Sequence, residues 1–349
     1  MKFKGINKLT SRAILLLLCI SLSVISACGS SSASQEDASN NIEPEKPESK
    51  GQGGYLFAHM TKDNYGKLFY AVSRDGKQWE ELNNGKIILE SYLGHPNIEL
   101  GGDGKYYMIG VSLSGELRKP ILYYSQDLVT WYHRDLDRAI FDVEAQGYEN
   151  EGVYIGAPKI FYDSDSQNYM ITWHAYLKGK QGDDRWRSMR TFYILTKDWN
   201  EFTPAKRLFD FSGIDANMAT IDAIFVKDNN TYYAIIKDER WPSDVATGKT
   251  IRIATSKSLT GPYSNPGNPI TPAWHEAPTI VRKPDGKGWY LYSEKYTESQ
   301  YECFESQALV SGMWAQVIVS PPSQGRHGCV LRVPENIYQG ILKAYKNSK

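Results

Sequence analysis

The chain has 349 residues with 40 basic and 40 acidic side chains, so its formal net charge is zero, which argues against a nucleic-acid-binding protein. Hydrophobic residues make up 41% and charged residues 23% of the chain, which excludes an intrinsically disordered protein. Four cysteines in a chain of this length exclude a small fold that depends on disulfides.

The first 27 residues have the pattern of a secretory signal peptide. Four basic residues precede an apolar run of 13 residues, Ala13 to Ile25, which is too short to span a bilayer as a helix. The run leads into ISAC, which resembles a bacterial lipobox and predicts that Cys28 is lipidated and becomes the mature N-terminus. An ordinary signal sequence beside a chance cysteine is the alternative. Cleavage removes four of the 40 basic residues and no acidic residue, which leaves a net charge of −4.

Residues 28–53 are predicted to form a flexible tether. Residues 29–53 contain no aromatic side chain and one large aliphatic side chain, Ile42, so this segment cannot bury enough apolar surface to fold. We therefore expect a lipoprotein of the bacterial outer membrane, periplasmic or surface-exposed. It would touch the membrane only through the lipid anchor on Cys28.

Residues 54–349 are predicted to form one all-β domain. Short strands rich in Tyr, Ile and Val alternate with turns of Gly, Asp and Asn, and a single helix is predicted in the C-terminal NIYQGILKAY. Five strands end in a hydroxyl residue that is followed by a turn and an aromatic residue. These hydroxyl residues recur at intervals of 50 to 71 residues, at Ser73, Ser125, Thr196, Ser256 and Ser306. One four-stranded blade for each interval predicts a five-bladed β-propeller, and a two-sheet sandwich is the alternative.

Three segments are expected on the innermost strands, whose ends face the central funnel. They are GHPNI around His95, TIDAI around Asp222 and HEAPTI around Glu276. A carboxylate between apolar neighbours is costly to bury unless it is paired or functional. Two carboxylates that face one funnel suit glycoside hydrolysis, in which one acid protonates the leaving oxygen and another group activates water. The structural alternatives are an ion pair for Asp222 and turn positions for Glu276 and His95.

Five segments together carry a family resemblance. In chain order they are YLFAHMT with YAVSRDGKQW, TKDWNEFT, IDAIFVKDNNTYYAIIKDE, HEAPTIVRKPDGKGWYLYSEKY and GRHGCVLRV. With these segments, residues 55–345 resemble the family 43 glycoside hydrolases. The resemblance implies a five-bladed propeller that inverts configuration and releases arabinose, xylose or galactose from polysaccharides. It places the general acid on Glu276, the carboxylate that tunes its pKa on Asp222, and an axial histidine on His327. It implies no required cofactor, and the one ion that it suggests is a structural calcium near His327.

The sequence departs from this family pattern at the general base. The family has Arg-Asp-Pro, with Asp as the base, where this chain has Gly-His-Pro around His95, and GAPK places Lys159 where an acid is usual. In one interpretation His95 is itself the base, and Asp222 stabilises its imidazolium. In a second, a carboxylate from another position replaces it. The candidates are Glu99, Glu149 and Glu151. In a third, the domain binds glycans without hydrolysing them.

Aromatic and basic side chains next to the motif strands are candidate sugar contacts, because aromatic faces stack on sugar rings. The candidates are Trp173, His174, Lys237, Trp241 and Trp274. Packing inside the blades is the alternative for the tryptophans, and a solvated run of charges is the alternative for Lys237.

The sequence therefore favours a glycoside hydrolase that acts with inversion on terminal bonds of a polysaccharide or oligosaccharide. The alternative is a catalytically impaired, glycan-binding lipoprotein on the same propeller. We expect a monomer that binds no nucleic acid. Cys303 and Cys329 are predicted to be two separate buried thiols, and a disulfide between them is the alternative.

Overall fold

The computed structural model describes residues 53–310 and 312–346. The predicted signal peptide, the lipidation site Cys28 and the tether up to residue 52 lie outside the described residues. Within those residues, no helix has both the length and the apolar character needed to cross a membrane.

Twenty strands in the described part of the chain form five antiparallel sheets. The first sheet begins with β1 (Gly54–Thr61), β2 (Phe69–Ser73) and β3 (Glu80–Glu81). The second contains β4 (Glu99–Leu100), β5 (Tyr106–Val111), β6 (Pro120–Ser125) and β7 (Tyr132–Asp135). The third contains β8 (Tyr148–Glu149), β9 (Lys159–Asp163), β10 (Asn168–Leu177), β11 (Arg190–Thr196) and β12 (Lys206–Arg207).

The remaining strands complete the sheets. The fourth sheet contains β13 (Thr220–Asp228), β14 (Thr231–Asp238) and β15 (Ile251–Ser256). The fifth contains β16 (His275–Arg282), β17 (Trp289–Lys295), β18 (Gln300–Ser306) and β19 (Ala315–Val317), and β20 (Gly325–Val333) returns to the first sheet. The helices are α1 (Gly182–Arg187), α2 (Glu335–Tyr345) and 3₁₀ turns at Asn83–Gly85, Arg138–Phe141, Glu144–Gln146 and Gly213–Asp215.

Each sheet is one blade, and the five blades close into a ring. The last strand, β20, pairs with β1, so the two ends of the described chain share the first blade. Hydrogen bonds link each inner strand, or the residues beside it, to the neighbouring blade around the axis. They are Val330 N to Thr279 Oγ1 (2.8 Å), Ala277 N to Asp222 Oδ2 (3.1 Å), Thr172 Oγ1 to Ala223 O (3.2 Å), Ile160 N to Asn97 Oδ1 (2.7 Å) and Ile98 N to Cys329 Sγ (3.1 Å). The predicted five-bladed propeller is confirmed.

The repeated hydroxyl residues end equivalent strands of the five blades, namely β2, β6, β11, β15 and β18. Each hydroxyl accepts a hydrogen bond from a backbone amide two or three residues further on, which closes the turn locally. The bonds run to Ser73 from Gly76, to Ser125 from Leu128, to Thr196 from Trp199, to Ser256 from Ser258 and to Ser306 from Ala308. The repeat therefore marks the same turn in every blade.

Aromatic side chains fill the spaces between and within the blades. The ring of Trp79 lies 5.2 Å from Phe57, edge to face, and the ring of Trp199 stacks 5.0 Å from Tyr107. The thiols of Cys303 and Cys329 are free and buried in different apolar clusters, so the prediction of separate thiols is confirmed.

Candidate active site

The residues with predicted catalytic or axial roles lie at one end of the central channel. Each lies on or just before an inner strand: His95 before β4, Asp222 on β13, Glu276 on β16 and His327 on β20. The ring centroids of His95 and His327 are 4.7 Å apart, and Nε2 of His327 lies 3.0 Å from Oε1 of Glu276. Oδ2 of Asp222 accepts a 3.1 Å hydrogen bond from the amide that follows Glu276. The fold thus brings all four residues together.

Both carboxylates lie at irregularities in their strands. The register of β13 against β14 shifts between Ile221 and Ile224, and that of β16 against β17 shifts between Glu276 and Thr279. The backbone φ is 51° at Asp222 and 45° at the residue after Glu276, values that cost energy for residues other than glycine. Bulges of this kind re-aim side chains and are common beside active sites.

A buried row of alternating charges includes the candidate general acid. Nζ of Lys249 lies 2.5 Å from Oε1 of Glu239, and Oε2 of Glu239 lies 2.7 Å from Nζ of Lys237. Nζ of Lys237 lies 2.8 Å from Oε2 of Glu276, whose Oε1 contacts His327. We call these five residues the charge ladder. Lys237, a predicted sugar contact, is therefore an internal partner of Glu276 in the free protein.

The ladder determines the protonation of Glu276 and His327. Burial raises the pKa of Glu276, but Lys237 and His327 outweigh this effect and hold that pKa well below its usual value. Burial lowers the pKa of His327, but the carboxylates of Asp222 and Glu276 outweigh this effect and raise it above the ordinary value. The ionised form of Glu276 and the protonated form of His327 are therefore both favoured in the free protein.

Asp222 is a buried carboxylate with one oxygen free. Its Oδ1 has no hydrogen-bond partner among the described residues. Burial raises the pKa of Asp222, but the nearby charges of His327, Lys159 and His174 outweigh this effect and lower it below the ordinary value. An ionised Asp222 beside the amide that follows Glu276 is suited to adjusting the charge of its neighbours.

His95 is a buried, neutral imidazole in a setting of aromatic rings. Burial and the charges of His327 and Lys159 hold its pKa well below the ordinary value. Nε2 of His95 lies 2.9 Å from the hydroxyl of Tyr65, and the ring of Tyr154 lies 5.3 Å away, edge to face. Neither tyrosine belongs to a motif, so the sequence carries no signal for this contact.

The carboxylates considered as replacement bases are engaged elsewhere. Glu99 lines a separate cavity of about 450 Å³, formed by residues further along the inner strands, and accepts a 3.0 Å hydrogen bond from the amide of Tyr162. Burial raises the pKa of Glu99 to about 7. Glu149 accepts a hydrogen bond from a backbone amide, and Glu151 pairs with Arg185 at 2.5 Å. Glu99 is therefore not positioned to replace the base beside His95.

Two predicted sugar contacts form an aromatic wall beside the ladder. The rings of Trp241 and Trp274 lie 6.0 Å apart, and the ring of Tyr296 lies 6.2 Å from that of Trp274. Nζ of Lys249 lies 4.4 Å from the Trp241 ring, and Nζ of Lys237 lies 4.6 Å from the Tyr296 ring. Trp274 is 37% exposed, so its ring is open to a ligand.

Trp173 is a packing residue, which corrects its assignment as a sugar contact. It is 2% exposed, its ring packs edge to face on Phe141 at 4.9 Å, and its Nε1 donates a 2.8 Å hydrogen bond to Asn150. The next residue, His174, is on the other face of the strand. His174 is buried, and its charge lowers the pKa of Asp222, so it belongs to the axial site.

Lys159 is the first residue of β9 and is buried. The turn before it depends on Gly156, whose carbonyl accepts a 3.0 Å hydrogen bond from the amide of His174. A Cβ at Gly156 would lie 1.9 Å from the carbonyl oxygen of His174, and its φ is 44°, so only glycine fits. Lys159 forms no ion pair with Asp222 or with Glu276 in the described structure, although its charge lowers the pKa of Asp222.

The residues around His327 do not fit the calcium ion that the resemblance suggests. Ligand atoms of Glu276, Glu294 and His327 lie within 4.8 Å of one another. The guanidinium of Arg326 contacts Glu294 and lies 3.7 Å from Glu276, which also pairs with Lys237. Calcium takes six to eight oxygen ligands, whereas here two cationic side chains already occupy the carboxylates.

The structure is a five-bladed propeller with carboxylates and basic groups gathered at its axis. The chain matches the sequence model of a family related to glycosyl hydrolase family 43, described as a "Probable glycosyl hydrolase domain", over residues 51–339. The chain belongs to this family. A comparison with curated proteins gives no match.

The fold is shared with one solved glycoside hydrolase, and two further glycoside hydrolase structures have lower similarity to this chain. A thermostable family-43 glycoside hydrolase is 16% identical, with 78% of this chain and 92% of that chain covered and a TM-score of 0.50. An exo-β-1,3-galactanase from Clostridium thermocellum is 18% identical, with 67% and 49% covered and a TM-score of 0.48. An α-L-arabinofuranosidase catalytic domain of family 62 from Coprinopsis cinerea is 13% identical, with 66% and 69% covered and a TM-score of 0.46. This chain thus spans about half of the galactanase chain.

Proposed function

We propose that the protein hydrolyses terminal glycosidic bonds of a polysaccharide or oligosaccharide with inversion of configuration. The observation that carries the proposal is the convergence of Asp222 and Glu276, because Asp222 bonds to the amide that directly follows Glu276. A glycosidase needs one group to protonate the leaving oxygen and another to activate water. Glu276 takes the first role in this proposal, and His95 takes the second.

The proton for the leaving group comes from His327 in this proposal. Nε2 of His327 lies 3.0 Å from Oε1 of Glu276, so its proton passes to Oε1 of Glu276 and from there to the glycosidic oxygen. The glycosidic C–O bond breaks as water attacks the sugar carbon from the opposite face. With the Nε2–H of His95 donated to the Tyr65 hydroxyl, its Nδ1 is free to take the proton of that water.

The test is sugar release from a panel of aryl glycosides and polysaccharides. We expect the wild-type protein to release sugar, and Glu276→Gln and His95→Ala each to reduce the rate by about a hundredfold or more. The control is Glu305→Gln, which removes a carboxylate that pairs with Lys283 outside the site. Unchanged release in Glu276→Gln would contradict the role of Glu276. The anomeric configuration of the first product, read by NMR, tests inversion.

A second candidate function is glycan binding without hydrolysis. It is favoured by the ion pair of Glu276 with Lys237, which keeps the candidate acid deprotonated, and by the imidazole in place of a base carboxylate. This function predicts retention on a polysaccharide column with no sugar released. The same panel therefore separates the two functions.

We also propose that the protein acts as a monomer anchored to the bacterial outer membrane through Cys28. The support is the basic segment, apolar run and ISAC sequence at residues 1–28. Cys28→Ala should move the protein from the membrane fraction to the soluble fraction. Protease treatment of intact cells would distinguish the outer surface from the periplasm.

A further inference from the structure

A second cavity of about 450 Å³ lies along the central channel, beyond the candidate active site. Inner strands of all five blades contribute to its lining. On β16 the lining begins at Thr279, beyond Glu276, and on β20 it begins at Cys329, beyond His327. None of the residues with proposed catalytic roles is among the described residues that line it. The cavity is therefore separate from the candidate active site.

Glu99 provides a carboxyl group to this cavity. Among the described residues that line the cavity, it is the one acidic side chain. Its Oε1 accepts a 3.0 Å hydrogen bond from the amide of Tyr162, which links β4 to the neighbouring blade. Its Oε2 has no partner among the described residues and is open to water. One oxygen of Glu99 is therefore available to a ligand in the cavity.

The carboxyl group of Glu99 is not needed to link the blades. Equivalent links at other inner strands use uncharged acceptors. They are Oδ1 of Asn97 for the amide of Ile160 (2.7 Å) and Oγ1 of Thr279 for the amide of Val330 (2.8 Å). A carboxyl group beside apolar walls costs desolvation free energy, and burial raises the pKa of Glu99 to about 7. An acid at this position therefore calls for a partner other than a backbone amide.

The charges around the cavity favour a ligand without net charge. Of the three basic residues that line it, Lys227 and Arg282 pair with aspartates that lie outside the lining. Arg332 remains and balances Glu99. A cationic ligand would face Arg332 and an anionic ligand would face Glu99, so neither gains from the net charge. A neutral molecule with hydroxyl groups can instead donate to the carboxyl group while its apolar faces contact the aliphatic walls.

We propose that this cavity is a second carbohydrate site, in which a hydroxyl group of a neutral sugar donates a hydrogen bond to Oε2 of Glu99. Asn97 lines the same cavity, and its Nδ2, which has no partner among the described residues and is open to water, donates to another sugar oxygen. The walls at Ile224 and Ile280 pack against the C–H face of the sugar ring. The cavity volume lies in the range of small-molecule sites. This inference goes beyond the proposed hydrolysis and does not require it.

The test follows the indole N–H signals by NMR while the purified protein is titrated with arabinose, xylose and galactose. Trp289 lines the cavity and Trp274 lies at the aromatic wall, so their signals report the two sites separately. We expect at least one sugar to shift the Trp289 signal saturably. Glu99→Leu should weaken this binding about tenfold or more, the scale of a hydrogen bond to a charged group, and Glu99→Gln should retain part of it. The Trp274 response should be unchanged in both variants.

Matched controls separate sugar recognition from folding and from catalysis. Glu90→Leu removes an exposed carboxyl group and should leave the Trp289 response unchanged. Thermal melting of Glu99→Leu checks that the variant folds. The absence of a saturable Trp289 shift with all three sugars would overturn the inference, and so would a shift that keeps its full affinity in Glu99→Leu. A Trp289 shift in a protein that releases no sugar from the glycoside panel would contradict the proposed hydrolysis and leave the second site standing.

Discussion

Nε2 of His327 lies 3.0 Å from Oε1 of Glu276, and this contact joins the last inner strand of the ring to the first strand of the fifth blade. Because Lys237 contacts the other carboxylate oxygen, Glu276 has a basic partner on each side. The protonation of His327 and that of Glu276 are therefore coupled, and a change at one should be visible at the other.

Glu276→Gln should lower the pKa of His327. The carboxylates of Asp222 and Glu276 raise that pKa above the ordinary histidine value against the effect of burial, so loss of one carboxylate removes part of the increase. Histidine NMR titrations of the wild-type protein and the variant measure the difference. Glu305→Gln is the control and should leave the His327 titration where it is. An unchanged pKa in Glu276→Gln would mean that the two groups are not coupled.

Trp274→Ala and Trp173→Ala should have opposite consequences. Trp274 is 37% exposed beside Trp241, so its removal should weaken binding of a glycan ligand about tenfold and change stability little. Trp173 is buried against Phe141, so its removal should cost about 3–5 kcal/mol of unfolding free energy. Ligand titration and denaturant unfolding of both variants are the measurements. Weaker glycan binding by a stably folded Trp173 variant would restore this residue as a contact.

The fold was largely predictable because its signals are local. Each blade repeats a hydroxyl residue that closes a turn through its own side chain, so Ser73 and its counterparts are visible within a few residues of sequence. The inner strands carry a polar residue between apolar neighbours, as at Asp222, and that pattern also needs no distant contact. Five such local signals at blade-like spacing predict the ring.

The environment of the site was not predictable, because the closed ring creates it. Tyr65 meets His95 across 30 residues of chain, and Lys237 meets Glu276 across 39. The sequence pattern of a strand also cannot distinguish a face that packs inside the blade from one that faces the funnel. For this reason the sequence predicts Trp173 as a sugar contact, although its side chain packs inside the blade. Contacts between blades determine both outcomes.

Arg252→Met should be strongly destabilising. The guanidinium of Arg252 is buried and donates to Asp215 at 2.7 Å and to Asp238 at 3.2 Å, so its loss leaves carboxylates short of a partner in the interior. We expect a loss of about 3–5 kcal/mol in the free energy of unfolding. The control is Lys178→Met, because Lys178 and its partner Glu144 are 61% and 68% exposed, and this change should stay within about 0.5 kcal/mol. Urea unfolding of both variants measures the contrast, and equal losses would contradict it.

His59 should make the folded state less stable in mild acid. Burial lowers its pKa from the ordinary 6.5 to about 4, so the unfolded chain binds a proton in this range that the folded protein excludes. The stability that depends on neutral His59 is therefore fully present above about pH 6.5 and is lost as the pH falls towards 4, by about 3 kcal/mol in total.

His59→Phe isolates this contribution, because the His59 ring already packs edge to face on Phe57 at 5.6 Å and stacks on Phe69 at 5.9 Å. The other buried histidines titrate alike in both proteins, so they cancel in the comparison. Urea unfolding at pH 7 and at pH 4.5 should show a smaller loss of stability in the variant than in the wild-type protein. Parallel losses in the two proteins would show that His59 is not the group that titrates. A larger loss in the variant would reverse the sign expected from a buried neutral imidazole.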